Sequence, residues 1–376
     1  MSSPPTSKPK PNFYPPWAPR FWNGLGVRDY SRLMIENRFQ VHPSKWAMAF
    51  LVGGCSIINS TLAAGQSFLY SQKIAEIELT QPPVFVIGHW RSGTTLMHEL
   101  IGLDPQFAFP TNFDAFVPRH LLVSRYFLYP LVKLLLPSRR PMDNMKLDAS
   151  YPQEDDFALC SMGAPTPYRR IAFPNRDNPH YNYLNLSDES PEKQEALRRS
   201  LSLFFKILTI RYNQRLVLKS PPHTGRVKQL MKWFPGAKFI HMTRNPYDLV
   251  PSTMRLWRLL DSIQGFQLPK YSDNQLRSYI HQCKDSMYQS YLSVRSSIPK
   301  DQLFEIQFES LVNNPVDQME RLYTQLELGN SEAVKDRITA YFESRKSHQK
   351  NRLAIDETLK IEIDDRWAEY QQNFGY

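Results

Sequence analysis

At 376 residues, with 41% hydrophobic and 13% aromatic side chains, the chain can bury a large core, which excludes a disordered polypeptide. Its formal charge of +10 suits an anionic partner (a nucleotide, an acidic substrate, nucleic acid or an anionic lipid) without choosing among them. Three scattered cysteines, Cys55, Cys160 and Cys283, speak against a disulfide framework and fit a reducing, cytoplasmic compartment.

Residues 1–20 hold seven prolines and lack the apolar core of a signal peptide. Residues 1–27 are therefore expected to be extended and poorly ordered. Residues 28–80 read as a helical N-terminal segment. Within it, "AMAFLVGGCSIINSTLAA" (47–64) is the best membrane-span candidate, but Gly, Ser, Asn and Thr interrupt the run, so a buried amphipathic helix is the expectation. Residues 81–376 read as one α/β domain. Strand-like runs fall at 84–88, 215–219, 238–243 and 303–309. Helical stretches fall at 94–103, 191–213, 225–234, 246–260, 273–297 and 315–327. Such alternation implies a central parallel sheet flanked by helices. Residues 104–190, rich in Pro, aromatic and charged residues, read as a substrate-side insertion. Inside it, "RYFLYPLVKLLLPSRR" (125–140) fits a core-facing helix with basic ends, a surface helix touching lipid, or a lid over an apolar pocket.

"VFVIGHWRSGTTL" begins at Val84 and places a glycine-framed turn between a strand and a helix. Backbone N–H groups of such a turn and the following helix N-terminus converge on an anion. Gly88, Arg91, Ser92, Gly93, Thr94 and Thr95 are the binding candidates. The spacing nearly matches a nucleoside-triphosphate loop, yet Thr94 stands where that loop carries lysine. A triphosphate enzyme needs the lysine and Mg²⁺ to offset its charge. A phosphosulfate, whose terminal sulfuryl group carries one negative charge, does not. The histidines and cysteines form no metal-ligand pattern: "HEL" at 98–100 would need His at 102, which is Gly102. No metal is expected.

A second motif, "HMTRNPYDLVPSTMRLWR" (241–258), ends a strand near Thr243 and starts a helix at Asn245 and Pro246. Arg244 and Ser252 can meet only if strand end and helix face one pocket. A guanidinium plus a hydroxyl suits one phosphate monoester. Pro251 deletes a helical hydrogen bond and should kink the helix just before Ser252.

Together these motifs resemble the sulfotransferase family that uses 3′-phosphoadenosine-5′-phosphosulfate. "LVLKSPPHTGRVKQLMKWFPGAKFIHMTRNP" is similar to its bacterial and protein-tyrosine-like branch. The likeness spans roughly residues 80–330. It implies a P-loop-type fold related to nucleotide kinases. It also implies that "GHWRSGTTL" binds the 5′-phosphosulfate and that Arg244 and Ser252 bind the 3′-phosphate. A late basic segment often folds over the nucleotide in this family, which makes Lys350 and Arg352, beside His348, further candidates.

Sulfuryl transfer to an alcohol needs a base, charge stabilisation and in-line positioning. The loop amides, Arg91 and Lys219 are candidates for the last two. For the base, Glu154 in "YPQEDDFAL" ranks first, then Asp114, then His89. The three carboxylates at 154–156 also suit a helix start. In the tyrosine-modifying branch the base is a Glu in the segment after the loop helix. Here that segment is "PTNFDAFVPRH", with Asp114 and no Glu. A P-loop kinase or hydrolase is the main rival, and an inactive peripheral membrane protein the other. The kinase lacks both the loop lysine and a strand-end carboxylate for Mg²⁺. The expected partners are the nucleotide donor and a hydroxyl-bearing acceptor such as a lipid or glycan, not nucleic acid. The expected setting is cytoplasmic, with room for peripheral membrane contact.

Overall fold

The computed structural model describes residues 14–15, 17–137, 147–176, 182–187, 189–345 and 355–376. Two helices come first, α1 (Val27–Glu36) and α2 (Trp46–Glu76). Arg38 and Phe39, both at φ 52°, turn the chain between them in the left-handed region. Composition led to the expectation that 1–27 is extended and poorly ordered, but its described end packs on the body. A 3-10 turn at Phe21–Gly24 buries Phe21 and Trp22 in the main core, and the Trp22 indole donates to the Gln264 carbonyl at 2.6 Å.

A second expectation is reversed in α2. Its inward stripe is Met48, Ala49, Val52, Ser56, Asn59 and Gln66, and its outward side carries Phe50, Leu51, Ile57, Ile58, Phe68 and Leu69. Of the polar residues, Asn59 and, just beyond the quoted run, Gln66 face the protein and find hydrogen bonds there, buried Ser56 bonds the Gly53 carbonyl of its own helix, and Thr61 stays exposed.

β1 (Val84–Gly88) is apolar and buried along its whole length, as a strand covered on both faces must be. Phe85 and Ile87 enter one core layer, Val84 and Val86 the other. α3 (Thr94–Ile101) follows, then the short edge strand β2 (Phe107–Ala108), which no sequence pattern announced. The insertion carries α4 (Asn112–Phe116), α5 (Leu121–Ser124), α6 (Leu128–Leu135), α7 (Asp155–Ser161) and α8 (Asn182–Asn185). α6 has no fully buried residue: Leu128, Tyr129 and Val132 pack against the main core on one side, while Leu134 is 81% exposed on the other.

α9 (Pro191–Tyr212), β3 (Arg215–Lys219), α10 (Val227–Trp233), β4 (Lys238–Thr243), α11 (Pro246–Gln264) and α12 (Asp273–Arg295) lie where the pattern puts them. α11 continues through Pro251 as one helix. β5 (Leu303–Gln307) stops short of 309, since Phe308 already opens α13 (Phe308–Asn313). After α14 (Pro315–Gln325) come three helices with no sequence forecast: α15 (Glu332–Glu343), α16 (Glu357–Arg366) and α17 (Ala368–Phe374). The sheet order is β2-β3-β1-β4-β5, and all pairs are parallel. β1 is central, with later strands added on both sides. The crevice at its carboxyl end is where an open parallel sheet binds ligands.

Because Trp22 ties the N-terminal turn to the end of α11, Trp22→Ala should lower stability by about 3–5 kcal/mol in urea unfolding. A loss under about 1 kcal/mol would show that this turn does not dock on the body.

Candidate functional site

The turn after β1 is built by its backbone. Gly88 sits at φ 137°, and a Cβ there would overlap the Met242 carbonyl of β4. Its N–H donates to Thr224 Oγ at 2.7 Å, which fixes where the turn begins. The Ser92 N–H closes the turn on the His89 carbonyl at 3.1 Å. Arg91 takes φ 69° and Gly93 φ 101°, where a Cβ would collide with the Phe308 ring. Gly93 caps α3, and Thr94 and Thr95 form its first turn. The helix N-terminus and the turn amides thus share one anion-favouring end.

The two sequence motifs meet through Arg91. Its Nε donates to Ser252 Oγ at 2.9 Å, and its carbonyl accepts from Arg244 Nη1 at 3.1 Å. Ser252 is held by α11, whose start is capped by the Asn245 side chain accepting from the Tyr247 N–H at 3.0 Å. The Arg244 guanidinium lies over the Phe308 ring at 4.7 Å. Tyr370 of α17 bonds the Arg244 backbone on both sides, its hydroxyl accepting from the N–H at 3.0 Å and donating to the carbonyl at 3.2 Å. Two polar atoms here are buried without a protein partner, Ser92 Oγ and Arg244 Nε. A hydroxyl and a guanidinium N–H left unsatisfied beside a helix N-terminus fit a phosphate- or sulfate-bearing ligand.

On the other side of the turn lies a carboxylate. Glu154 is the cap residue of α7; its Oε1 accepts from Lys219 Nζ at 2.7 Å, and its Oε2 accepts from the Tyr168 hydroxyl. Tyr168 in turn accepts from the Trp90 indole N–H at 2.7 Å. Burial, and next the Glu154 charge, push the Tyr168 phenol well above its usual range, so it stays a donor. Lys219 is the last residue of β3, beside Val86 of β1, and is almost wholly buried. Consecutive turn residues therefore serve opposite sides: Trp90 reaches the carboxylate, and Arg91 reaches Ser252.

The neighbouring carboxylates turn away. Asp155 accepts from His223 at 2.6 Å and from Ser220 at 3.0 Å, while Asp156 pairs with Arg226 at 2.9 Å and accepts from Thr166 at 2.6 Å. Asp155, Asp156 and His223 lie close enough together to hold a cation, but Arg226 already meets the Asp156 charge.

The structure removes two of the three base candidates. Asp114 is fully buried in the capping box of α4, with Arg211 at 2.5 Å, Tyr212 at 2.9 Å and the Thr111 N–H at 2.9 Å on its oxygens. His89 is sealed edge-on between Trp90 and Trp367, its Nδ1 donating to the Trp90 carbonyl at 3.0 Å. Burial pulls it down to about 3, far too weak a base for a hydroxyl. His348, Lys350 and Arg352 lie outside the described residues. Sequence reasoning missed Trp90, Tyr168, Thr224 and Tyr370. Thr224 sat within the quoted "KSPPHT" run, whereas nothing local marks Tyr168 as a partner of Glu154.

A sulfotransferase family model matches residues 82–332. The chain is 35% identical over 363 residues to the omega-hydroxy-beta-dihydromenaquinone-9 sulfotransferase Stf3 of Mycobacterium bovis, covering 96% of this chain and 92% of that one. The protein of the same name from Mycobacterium tuberculosis matches equally. Among solved structures, sulfotransferase STF9 from Mycobacterium avium superposes with a TM-score of 0.65 at 18% identity, covering 93% of this chain and 97% of that one. Sulfotransferase STF1 from Mycobacterium tuberculosis gives 0.65 at 16% identity, covering 94% of each chain. These two likenesses concern the fold.

Arg244→Ala and Ser252→Ala should each weaken adenosine 3′,5′-bisphosphate by roughly 10- to 100-fold, the worth of one charge-assisted hydrogen bond, and leave adenosine 5′-monophosphate little changed. Isothermal titration calorimetry with both ligands reads the difference. Equal losses for the two would show that the residues hold the turn and not the 3′-phosphate.

Proposed function

The chain belongs to the sulfotransferase family, and from that premise we propose which residues carry the transfer and what kind of alcohol receives it. The reaction moves a sulfuryl group from 3′-phosphoadenosine-5′-phosphosulfate to an acceptor hydroxyl. In this reading the turn amides with Ser92, Thr94, Thr95 and Arg91 hold the 5′-phosphosulfate. Arg244 and Ser252 hold the 3′-phosphate.

The observation that carries the catalytic assignment is the Glu154–Lys219 pair at the turn. Glu154 takes the proton from the acceptor hydroxyl. The acceptor oxygen bonds to sulfur as the bond from sulfur to the 5′-phosphate oxygen breaks. The electron pair leaves with that phosphate, and Lys219 and the turn amides offset the charge that builds there. Tyr168, fixed by the Trp90 indole, holds the carboxylate in place. No metal is required, because the transferred group is singly charged and β4 ends in Thr243, followed by Arg244, where a kinase would place a Mg²⁺ ligand.

The acceptor we propose is a lipid alcohol. Support comes from the named relative, a dihydromenaquinone sulfotransferase alike over nearly the whole chain. It also comes from the aromatic residues that approach the carboxylate: Phe157 stacks on Tyr168 at 4.8 Å, and Phe21 packs on Phe157 at 4.8 Å. The three unpaired cysteines suit a cytoplasmic enzyme.

Donor consumption should be fastest with a long isoprenoid ω-alcohol in detergent, against a glycan and a tyrosine peptide, and should persist in EDTA. Turnover confined to the glycan or peptide would overturn the lipid reading. Glu154→Gln should keep bisphosphate affinity and lose roughly 10²- to 10⁴-fold in turnover. Retained turnover with intact binding would remove Glu154 from the base role.

A further inference from the structure

α2 is inside out. In a helix that packs on a body in water, the apolar stripe faces the body and the polar side faces solvent. Here the body side holds Ser56, Asn59 and Gln66 beside Met48, Ala49 and Val52, and the far side holds Phe50 at 72% exposure, Ile57 at 62% and Phe68 at 88%. From Lys45 to Lys73 the sequence has no charged side chain between them. At 31 residues the helix is about 46 Å long, and its exposed large apolar residues run along it from Phe50 to Leu69.

Length and composition alone would let α2 cross a bilayer. Its inner face forbids that orientation. Asn59 Nδ2 donates to the Asn23 and Leu25 carbonyls, the latter at 2.9 Å. Gln66 donates to the Arg119 carbonyl at 2.9 Å and accepts from the Leu122 N–H at 2.7 Å. These clamps hold the helix lengthwise on the protein, and lifting it off would strand buried amides and carbonyls.

We propose that α2 lies flat in the surface of an anionic bilayer, its outer face among the headgroups and upper acyl chains, as an in-plane anchor of this enzyme. The solvent that makes an inverted helix stable is apolar on the outside only, which a membrane interface supplies. Three further features choose a membrane as the occupant. The uncharged span is closed by a lysine at each end, and the whole chain carries +10, which favours anionic headgroups. Gln66 also fixes α5, which leads directly into α6, where Leu131 and Leu134 are exposed beside Lys133. The inner face of α2 holds the turn that carries Phe21, and from Phe21 two ring contacts lead through Phe157 and Tyr168 to Glu154. The anchor is thereby joined to the carboxylate through packed aromatic rings. The inference rests on the lipid-acceptor reading for its purpose and on α2 for its support.

The test is co-sedimentation of the full chain, without donor or acceptor, with vesicles of phosphatidylglycerol and phosphatidylcholine in equal parts. The parent should pellet with them and bind pure phosphatidylcholine more weakly. Ile57→Asp combined with Phe68→Asp should lower the bound fraction at least tenfold, with an unchanged thermal melt and unchanged bisphosphate affinity. Ile361→Asp, an exposed apolar position on α16, should bind like the parent. A parent that stays in the supernatant overturns the proposal, and so does a double variant that pellets fully. If the parent ignores vesicles but forms a dimer that the double variant breaks, the face belongs to a second copy and the membrane assignment fails. None of these outcomes bears on sulfuryl transfer, which the turnover and titration assays judge separately.

Discussion

Arg91 donates from its side chain to Ser252 and receives Arg244 on its carbonyl, and the candidate site hangs on this junction. The turn after β1 has no lysine to draw its parts together. The cation is instead on the turn itself, in a residue held at a positive φ, and the end of the adjacent strand β4 and the helix that follows it close on it. Burial makes the arrangement strict. Ser92 Oγ and Arg244 Nε sit out of water with no protein partner, which costs free energy as the site stands. Such a cost is bearable where a ligand anion returns the missing bonds.

The opposite side of the turn obeys the same logic with opposite charge. Three consecutive carboxylates at the start of α7 do three different things, because each meets a different wall. Asp155 and Asp156 enter a sealed network with His223 and Arg226, which locks α7 against the segment after β3. Glu154, one residue earlier, is left at the mouth with Lys219 and Tyr168. The pair of aspartates thus sets the position from which the glutamate works. Tyr168 remains a donor because burial beside that negative charge disfavours a second one.

α2 shows how burial can mislead when only composition is read. Ser, Asn and Gln in an apolar run normally break a lipid-facing helix and suggest a protein interior. Here Asn59 and Gln66 face the interior, where Asn23, Leu25, Arg119 and Leu122 supply backbone partners, and large apolar residues such as Phe50, Ile57 and Phe68 are left outside. Polarity of a helix face has meaning only relative to what stands opposite it.

What the sequence determined by itself is what short-range chemistry determines. The four long strands declare themselves as short runs rich in apolar residues, the turn by its glycine spacing, and the start of α11 by Asn245 and Pro246. Arg244 and Ser252 were legible because strand end and helix start fix their offset. Tertiary structure decided whatever depends on partners far along the chain. Arg91 and Ser252 are 161 residues apart, and Lys219 and Glu154 are 65 apart. Asp114 and Glu154 look alike as letters; Arg211 and Tyr212 claim the first, and Lys219 at the strand end claims the second. β2, two residues long, exists only because β3 offers it an edge, and α17 joins the site by laying Tyr370 beside Arg244. A side chain's local pattern sets its conformation, but its burial, its charge and the water it meets belong to neighbours that only the folded chain brings near.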